Sequence, residues 1–357
     1  MRRLRILIGG DTYFPDVNGA SVFTQRLAEG LRARGHDVHV ACPSRGLRPT
    51  CARQGGVIIH GLPALPLPLY PTFRVVPPPC ARGAAARLLR RLVPDIVHIQ
   101  GHFPIGRALA GRAHAAGIPL VATNHFMPDN LVFHLRLPED LAHAVSAWAW
   151  RDFARVFNQA GTITTPTPRA AALIRAQGIV GPVTAISCGV DLVRFSPDND
   201  GDAFRRRYGI PARPTYLHVG RLEEEKHIGE LIAALPLVRR RVDAQLVLVG
   251  AGLQRQALAA LAARAGVGEH VIFTGLIPDE ELPGAYAACD VFCTAGRAEL
   301  QSLVTMEALA TGKPVVVAQA MALPHLVDQG RNGYTFPPGD VAALAEALVS
   351  CQSSSTG

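Results

Sequence analysis

Two carboxylates, Glu299 and Glu307, stand eight positions apart in the run Ala298-Glu299-Leu300-Gln301-Ser302-Leu303-Val304-Thr305-Met306-Glu307-Ala308-Leu309-Ala310-Thr311-Gly312. The second acid lies in an Ala-rich helical stretch that ends at Gly312, and Pro314 then opens an apolar strand. Eight residues are a little over two helical turns, so any helical part of the spacing keeps its side chains on one face. The first turn of such a helix presents backbone N–H groups without intrahelical partners, a seat for phosphate. One acid before the helix and one along it could hold sugar hydroxyls while the helix start holds a diphosphate. The same pattern also fits two solvated acids flanking a core helix.

Upstream, Leu217-His218-Val219-Gly220-Arg221-Leu222-Glu223-Glu224-Glu225-Lys226-His227 reads as a strand, a glycine exit and a loop with two cations. Arg221 and Lys226 at a strand's carboxyl end can neutralise a diphosphate that gains charge as it leaves. Three glutamates stand between them, as they would in a solvated charged loop. In the first half, Asp16-Val17-Asn18-Gly19-Ala20-Ser21 puts Gly19 before a helix, where N–H groups could meet phosphate. Capping by Asn18 accounts for the pattern equally well. His125, in Thr123-Asn124-His125-Phe126-Met127-Pro128-Asp129-Asn130, follows another strand and could hydrogen-bond a sugar or phosphate. His98, Gln100 and His102 read as polar cleft lining, since no third metal ligand accompanies them.

Two motifs point elsewhere. Gly250-Ala251-Gly252 opens a helix after a strand, but Arg255 occupies the third glycine of a dinucleotide fingerprint, which counts against a pyridine-nucleotide oxidoreductase. Asp198-Asn199-Asp200 resembles a metal-binding pair, yet its polar, turn-rich surroundings read as a turn.

These groups need strands and helices to carry them. Short apolar runs at 5–9, 37–41, 96–99, 119–123 and 162–165 alternate with amphipathic helices at 22–34, 105–116, 138–157 and 168–176. The alternation restarts after 213, with strands at 215–219, 245–249, 271–274, 291–294 and 315–318 and helices at 228–239 and 253–265. The expected class is α/β: two doubly wound, Rossmann-like domains at 1–193 and 214–357, joined by a linker at 194–213, with ligand in the cleft between them. Residues 62–79 hold seven prolines and read as a loop at the cleft mouth.

The 357 residues carry a net charge of +8, unevenly distributed. Residues 1–195 hold 22 Arg against 10 Asp and Glu, or +12, and the remainder is −4. A basic front half suits an anionic membrane surface. A composition rich in Arg gives the same sum, since Lys226 and Lys313 are the only lysines. Nucleic acid is disfavoured by an aromatic content of 6% and the lack of any recognition motif. Seven cysteines without C-x-x-C spacing favour reduced thiols, and no apolar run reaches the length of a membrane span. The expected location is cytoplasmic, possible also as a peripheral protein at the inner membrane face.

Taken together, Glu299 to Glu307, Gly220-Arg221 with Lys226, Gly189-Val190-Asp191 with Phe195, and Asn332-Gly333-Tyr334 resemble the retaining nucleotide-sugar glycosyltransferases of family 4, over nearly the whole chain. The resemblance implies the two-lobed GT-B fold and hexose transfer from a UDP- or GDP-sugar to an acceptor hydroxyl, without a metal or other cofactor. It implies that Arg221 and Lys226 contact the donor diphosphate beside Gly220 and the backbone of Leu303 and Val304. It gives Glu299 the donor sugar, Glu307 the ribose, Gly19 the diphosphate and His125 the sugar. The His125–Asn130 and Glu299–Leu303 segments further resemble bacterial diacylglycerol glucosyltransferases, implying a lipid acceptor. The family often has glycine at the position of Ser302 and two glycines at Asn18 and Gly19. Its final crossover helix has no counterpart in the closing Cys351-Gln352-Ser353-Ser354-Ser355-Thr356-Gly357, which reads as a short polar tail. A soluble acceptor, or a non-catalytic role in binding nucleotide sugars, remains open at this stage.

Overall fold

The computed structural model describes residues 2–14, 18–67, 70–125, 127 and 138–354. The chain divides into two compact units, Met1–Ser187 and Cys188–Gly357. Asp16, Val17, Phe126, Pro128, Asp129, Asn130 and the last three residues, all named above, lie outside the described residues.

The first unit runs β1 (Arg5–Gly9), α1 (Gly19–Ala33), β2 (Asp37–Pro43), β3 (Thr50–Gln54), β4 (Val57–Leu62), β5 (Leu65–Leu67), β6 (Tyr70–Val75), α2 (Pro78–Leu92), β7 (Ile96–Ile99), α3 (Pro104–Ala115), β8 (Leu120–Thr123), α4 (Glu139–Phe157), β9 (Thr162–Thr165), α5 (Pro168–Ala176) and β10 (Val183–Ala185). Its sheet has the order β10-β9-β8-β7-β1-β2-β4-β3, parallel except for β3. The strand order therefore turns outward in both directions from the β1–β7 pair, which opens a crevice at their carboxyl ends. The proline-rich stretch is more ordered than its composition suggests. It holds the β5–β6 hairpin and the start of α2, where Pro78 takes a position whose missing N–H costs no helical bond.

The second unit runs α6 (Asp202–Tyr208), β11 (Thr215–Val219), α7 (Ile228–Arg239), β12 (Gln245–Val249), α8 (Arg255–Arg264), β13 (Val271–Gly275), α9 (Leu282–Ala287), β14 (Val291–Thr294), α10 (Leu303–Ala310), β15 (Val315–Ala318), β16 (Gly333–Phe336) and α11 (Val341–Ser354). All six strands are parallel in the order β13-β12-β11-β14-β15-β16. β11, β12, β14 and β15 are buried along their whole length, which explains their largely apolar sequences. Here the order turns outward from the β11–β14 pair.

Residues 188–213 pack with this unit. Phe195 is fully buried edge-on to Tyr286, and α6 buries Phe204 against the same core. Polar composition hid these two anchors. The Asp198–Asp200 segment is a turn, as expected: Asn199 Oδ1 accepts from the Ser196 N–H and Asp200 Oδ1 from the Asp202 N–H. The end of the chain also differs from the expected polar tail. Cys351 is buried, and Cys351–Ser354 complete α11.

Gly250 and Gly252 owe their presence to close backbone packing. A Cβ on Gly250 would lie 1.9 Å from Gly220 O, and one on Gly252 2.3 Å from Leu222 O. The 220–222 loop is pinned there by Gly220 N–H to Val249 O and Leu222 N–H to Ala251 O. Gly252→Ala is therefore expected to destabilise the second unit by about 2–3 kcal/mol in urea unfolding. Gly268→Ala, whose nearest neighbour would be 3.7 Å away, should stay within about 0.5 kcal/mol.

Candidate functional site

The side chains that could act on a diphosphate meet at the β11–β14 pair. After β11 the chain leaves through Gly220 and Arg221, then makes a single 3-10 turn at Glu224–Lys226. After β14 it runs through Gly296 and Glu299 to α10. Lys226 Nζ donates to Glu299 Oε1 at 2.5 Å, joining two loops 73 positions apart in sequence. Gly296 leaves the pair its room, since a Cβ there would lie 3.3 Å from Glu299 Oε1 and 3.7 Å from Lys226 Cδ. Both side chains are mostly shielded, so the pair is less screened than a surface bridge.

Arg221 is half-exposed and pairs with Glu225, a buried carboxylate on the 3-10 turn. Three glutamates between two cations thus include one that braces a cation. His227 connects the turn to α7 with φ +49°, a left-handed conformation that costs energy for a residue with a Cβ and fixes the direction of α7. Arg297, from the β14 loop, pairs with Glu230 on α7, whose other oxygen accepts from the Gly339 N–H. These contacts hold the two loops in register around the Lys226–Glu299 bridge.

The first turn of α10 adds the backbone donors. Ser302 is its N-cap and its Oγ accepts from the Thr305 N–H. Leu303 and Val304 occupy the first two helical positions, whose N–H groups have no intrahelical acceptor. Gln301 anchors the approach by accepting from the Cys188 N–H at 2.8 Å, and the Glu299 carbonyl accepts from the Ala322 N–H. Glu307 sits deeper on the helix at 4% exposure, where Tyr286 Oη donates to its Oε2 at 3.0 Å. Burial and this carboxylate raise the tyrosine pKa well above its ordinary value. The structure thus brings Lys226 and Glu299 into direct contact, sets Gly220 and Arg221 on the same loop as Lys226, and ties Glu307 to Tyr286.

The other residues of the sequence pattern are structural. Asp191 Oδ1 accepts from the N–H groups of Val193 and Arg194, closing the turn that delivers Phe195 to the core. Asn332 brackets a turn through Asp328 N–H and Leu326 O, and a Cβ on Gly333 would lie 2.0 Å from Val315 O.

In the first unit, polar groups gather at the carboxyl ends of β1, β7 and β8. Asp11 accepts from the N–H groups of Ile105 and Gly106, at 2.9 and 3.3 Å, and so caps α3 across the β1–β7 crevice. Burial lifts its carboxyl to about 6, against the pull of those N–H groups and of Arg107. His125 Nε2 lies 2.9 Å from Gln100 Oε1, and Phe23 packs on the ring. His98 Nε2 lies 2.7 Å from Thr123 Oγ1, which reaches on to Thr164 Oγ1. Burial lowers His98 and His102 to about 4 and His125 to about 3, and the rings are neutral at pH 7. Gly19 begins α1 behind a capping box in which Asn18 Oδ1 accepts from the Ser21 N–H and Ser21 Oγ from the Asn18 N–H. The cap that explained this segment is present, and Gly19 and Ala20 keep the first two N–H positions. No group of three or more His, Cys, Asp or Glu suited to a metal occurs among the described residues.

Asp11, Glu225, Glu230 and Arg297 went unread in the sequence. The Arg221–Glu225 spacing of four was the one local signal; the remaining partners are 67 to 95 positions apart or single residues with no pattern.

Two family models cover the chain. One described as Glycosyltransferase Family 4 matches residues 17–194, and one described as Glycosyl transferases group 1 matches residues 213–354. A GDP-mannose-dependent alpha-mannosyltransferase of Mycobacterium tuberculosis is 32% identical over 348 residues, covering 94% of this chain and 85% of that protein. A GDP-mannose-dependent alpha-(1-6)-phosphatidylinositol dimannoside mannosyltransferase of the same species is 31% identical over 353 residues, covering 97% and 88%. Among solved structures, a sucrose-phosphate synthase from Thermosynechococcus elongatus superposes with a TM-score of 0.78 at 21% identity, covering 99% of this chain and 92% of that one, which shows a shared fold.

The neutral histidines set a pH limit. His98, His102, His125 and His218 have folded pKa values of about 4, 4, 3 and 4, below the ordinary 6.5 they regain on unfolding. The unfolded chain therefore binds more protons below pH 6.5, and stability falls from there toward pH 4, at about 1.4 kcal/mol per unit for each histidine. Asp11 acts in the opposite direction below about 6, but as a single group. Urea midpoints measured from pH 8 to pH 4.5 should be flat down to about 6.5 and then drop; a midpoint unchanged at pH 5 would contradict the neutral assignments.

Proposed function

The chain belongs to the family-4 nucleotide-sugar glycosyltransferases, and from that premise we propose that it transfers mannose from GDP-mannose to a hydroxyl of a phosphatidylinositol-based glycolipid, with retention of anomeric configuration. The observation that carries the reading is the Lys226–Glu299 bridge beside the open first turn of α10. It sets a cation, sugar-directed carboxylate oxygens and two backbone donors at the one place in the second sheet where strand order turns outward.

In this reading Lys226 and Arg221 neutralise the diphosphate as the sugar–oxygen bond breaks, together with the N–H groups of Leu303 and Val304. Glu299, held by Lys226, accepts from donor sugar hydroxyls through its remaining lone pairs. Glu307, held by Tyr286, takes the ribose hydroxyls. Gly220 lets the backbone turn beside the phosphates. No protein nucleophile is invoked: the leaving phosphate accepts the acceptor's proton on the same face of the sugar, and retention follows. The roles of Gly19 at the diphosphate and His125 at the sugar belong to the same proposal.

GDP-mannose and the phosphatidylinositol acceptor are taken from the mannosyltransferases that share nearly the whole length of the chain. They replace the diacylglycerol glucosyltransferase likeness, which these relatives do not support. No helix among the described residues is long and apolar enough to cross a membrane, so a lipid acceptor would be met at the surface of its bilayer.

Incubation with UDP- and GDP-sugars plus phosphatidylinositol mannosides tests the assignment. GDP release with formation of an α-mannoside, read by proton NMR, is the expected result. Exclusive use of a UDP-sugar would overturn the donor, a β-mannoside the stereochemistry, and transfer only to water-soluble glycosides the acceptor. Lys226→Ala and Arg221→Ala should each lower kcat by about 100- to 1000-fold with the circular dichroism spectrum unchanged. Full turnover in either would remove the diphosphate role.

A further inference from the structure

Helix α4 has two unlike faces. One packs into the first unit: Ala149, Trp150, Phe153, Ala154, Val156 and Phe157 are buried, with Phe153 stacked on Phe157 and Trp150 edge-on to Phe153. Arg107 of α3 locks the helix by a two-pronged pair with Asp152. The other face is exposed at every position: Leu141, Ala144, Trp148, Arg151 and Arg155 recur at the three- and four-residue intervals of a helical stripe. Trp148 is 62% exposed and Leu141 49%, whereas Trp150, two positions on and about 200° around the helix, is 6% exposed.

The stripe is graded. Its first half is apolar and ends in an indole; its second half carries two guanidinium groups. The nearest acid of that half, Asp152, is already engaged by Arg107. The surrounding sequence is basic as well, at +12 over residues 1–195 with every cation an arginine. His102 meets Phe153 edge-on, so the second half of α4 packs beside the polar groups at the end of β7, and the apolar first half lies N-terminal to that contact.

We propose that this stripe is the docking surface for an anionic lipid bilayer, with Leu141 and Trp148 seated at the acyl–headgroup boundary and Arg151 and Arg155 on lipid phosphates. The assignment rests on the lipid-acceptor reading above and names the element that brings the enzyme to that lipid. Two features select this occupant. A tryptophan with its ring half in water and an arginine one turn away is the arrangement that suits a membrane interface. Paired arginines without carboxylates find their counter-charge in phosphates of an anionic surface. A second copy laid antiparallel would set Arg151 and Arg155 near the exposed Asp140, so a dimer through this stripe is the competing occupant that the test below distinguishes.

The test uses the full chain and vesicles of phosphatidylcholine, alone or mixed equally with phosphatidylglycerol, without donor present. The wild type should sediment with the mixed vesicles at low salt, with a blue shift of tryptophan emission, and release from them at high salt. Leu141→Ser/Trp148→Ser and Arg151→Ser/Arg155→Ser should each weaken that binding by about tenfold or more, since either half of the stripe alone gives marginal attachment. Both variants should keep wild-type GDP release with a water-soluble mannoside acceptor, as the substituted side chains are exposed. Binding at wild-type strength in either variant would overturn the proposal, as would equal binding to neutral vesicles. So would a lipid-free dimer that Leu141→Ser/Trp148→Ser converts to monomer. Vesicle binding is read independently of turnover, so loss of transfer in every protein, wild type included, would count against the functional reading and not against the docking surface.

Discussion

A lysine and a glutamate held at 2.5 Å across the ends of β11 and β14 are the constraint around which the second unit is arranged. Neither residue is placed by local sequence. Lys226 arrives because Gly220 can pass against Gly250 and because Glu225 and His227 shape the turn that follows. Glu299 arrives because Gln301, Ala322 and the Arg297–Glu230 pair fix the opposite loop. A mostly shielded cation beside a shielded acid is costly unless each is satisfied, and each is satisfied chiefly by the other. A donor diphosphate inserted there would compete with the carboxylate for the lysine, leaving the carboxylate free to turn toward sugar hydroxyls. In the proposed reading, the ion pair positions both side chains for the donor.

The first unit repeats the topological device with different chemistry. Its strand order also turns outward at one pair, β1 and β7, and Asp11 bridges that crevice to the start of α3. Around it the ionisable groups are kept neutral or nearly so. Burial holds His98, His102 and His125 as uncharged rings and lifts Asp11 toward protonation. Uncharged donors and acceptors suit sugar hydroxyls, whereas the charged pair and helix N-terminus of the second unit suit phosphate.

Much of this was legible from spacing. Fully buried parallel strands betray themselves as short apolar runs, and α5 and β9 fall at 168–176 and 162–165 as the pattern predicts. Lys226, Arg221 and Glu299 were legible because charge at the end of an apolar strand is conspicuous. What escaped depends on contacts between distant segments. Phe195 and Phe204 sit in a polar stretch that reads as a linker, and only the buried setting beside Tyr286 shows them to be core. Gly250 and Gly252 imitate a nucleotide fingerprint, but the atoms they make room for are the carbonyls of residues 220 and 222. Prolines suggested a loop at 62–79, although a helix start accepts proline as readily as a loop does. Asp11 had no signal, because a single buried polar residue acquires meaning only from the backbone amides it meets.

The most direct test of the central claim is a crystal structure of the chain with GDP bound. The account predicts a diphosphate oxygen within hydrogen-bonding distance of Lys226 Nζ, a second on the N–H of Leu303 or Val304, and Glu299 released from the lysine. GDP bound elsewhere on the second unit, with the Lys226–Glu299 bridge still closed, would contradict it.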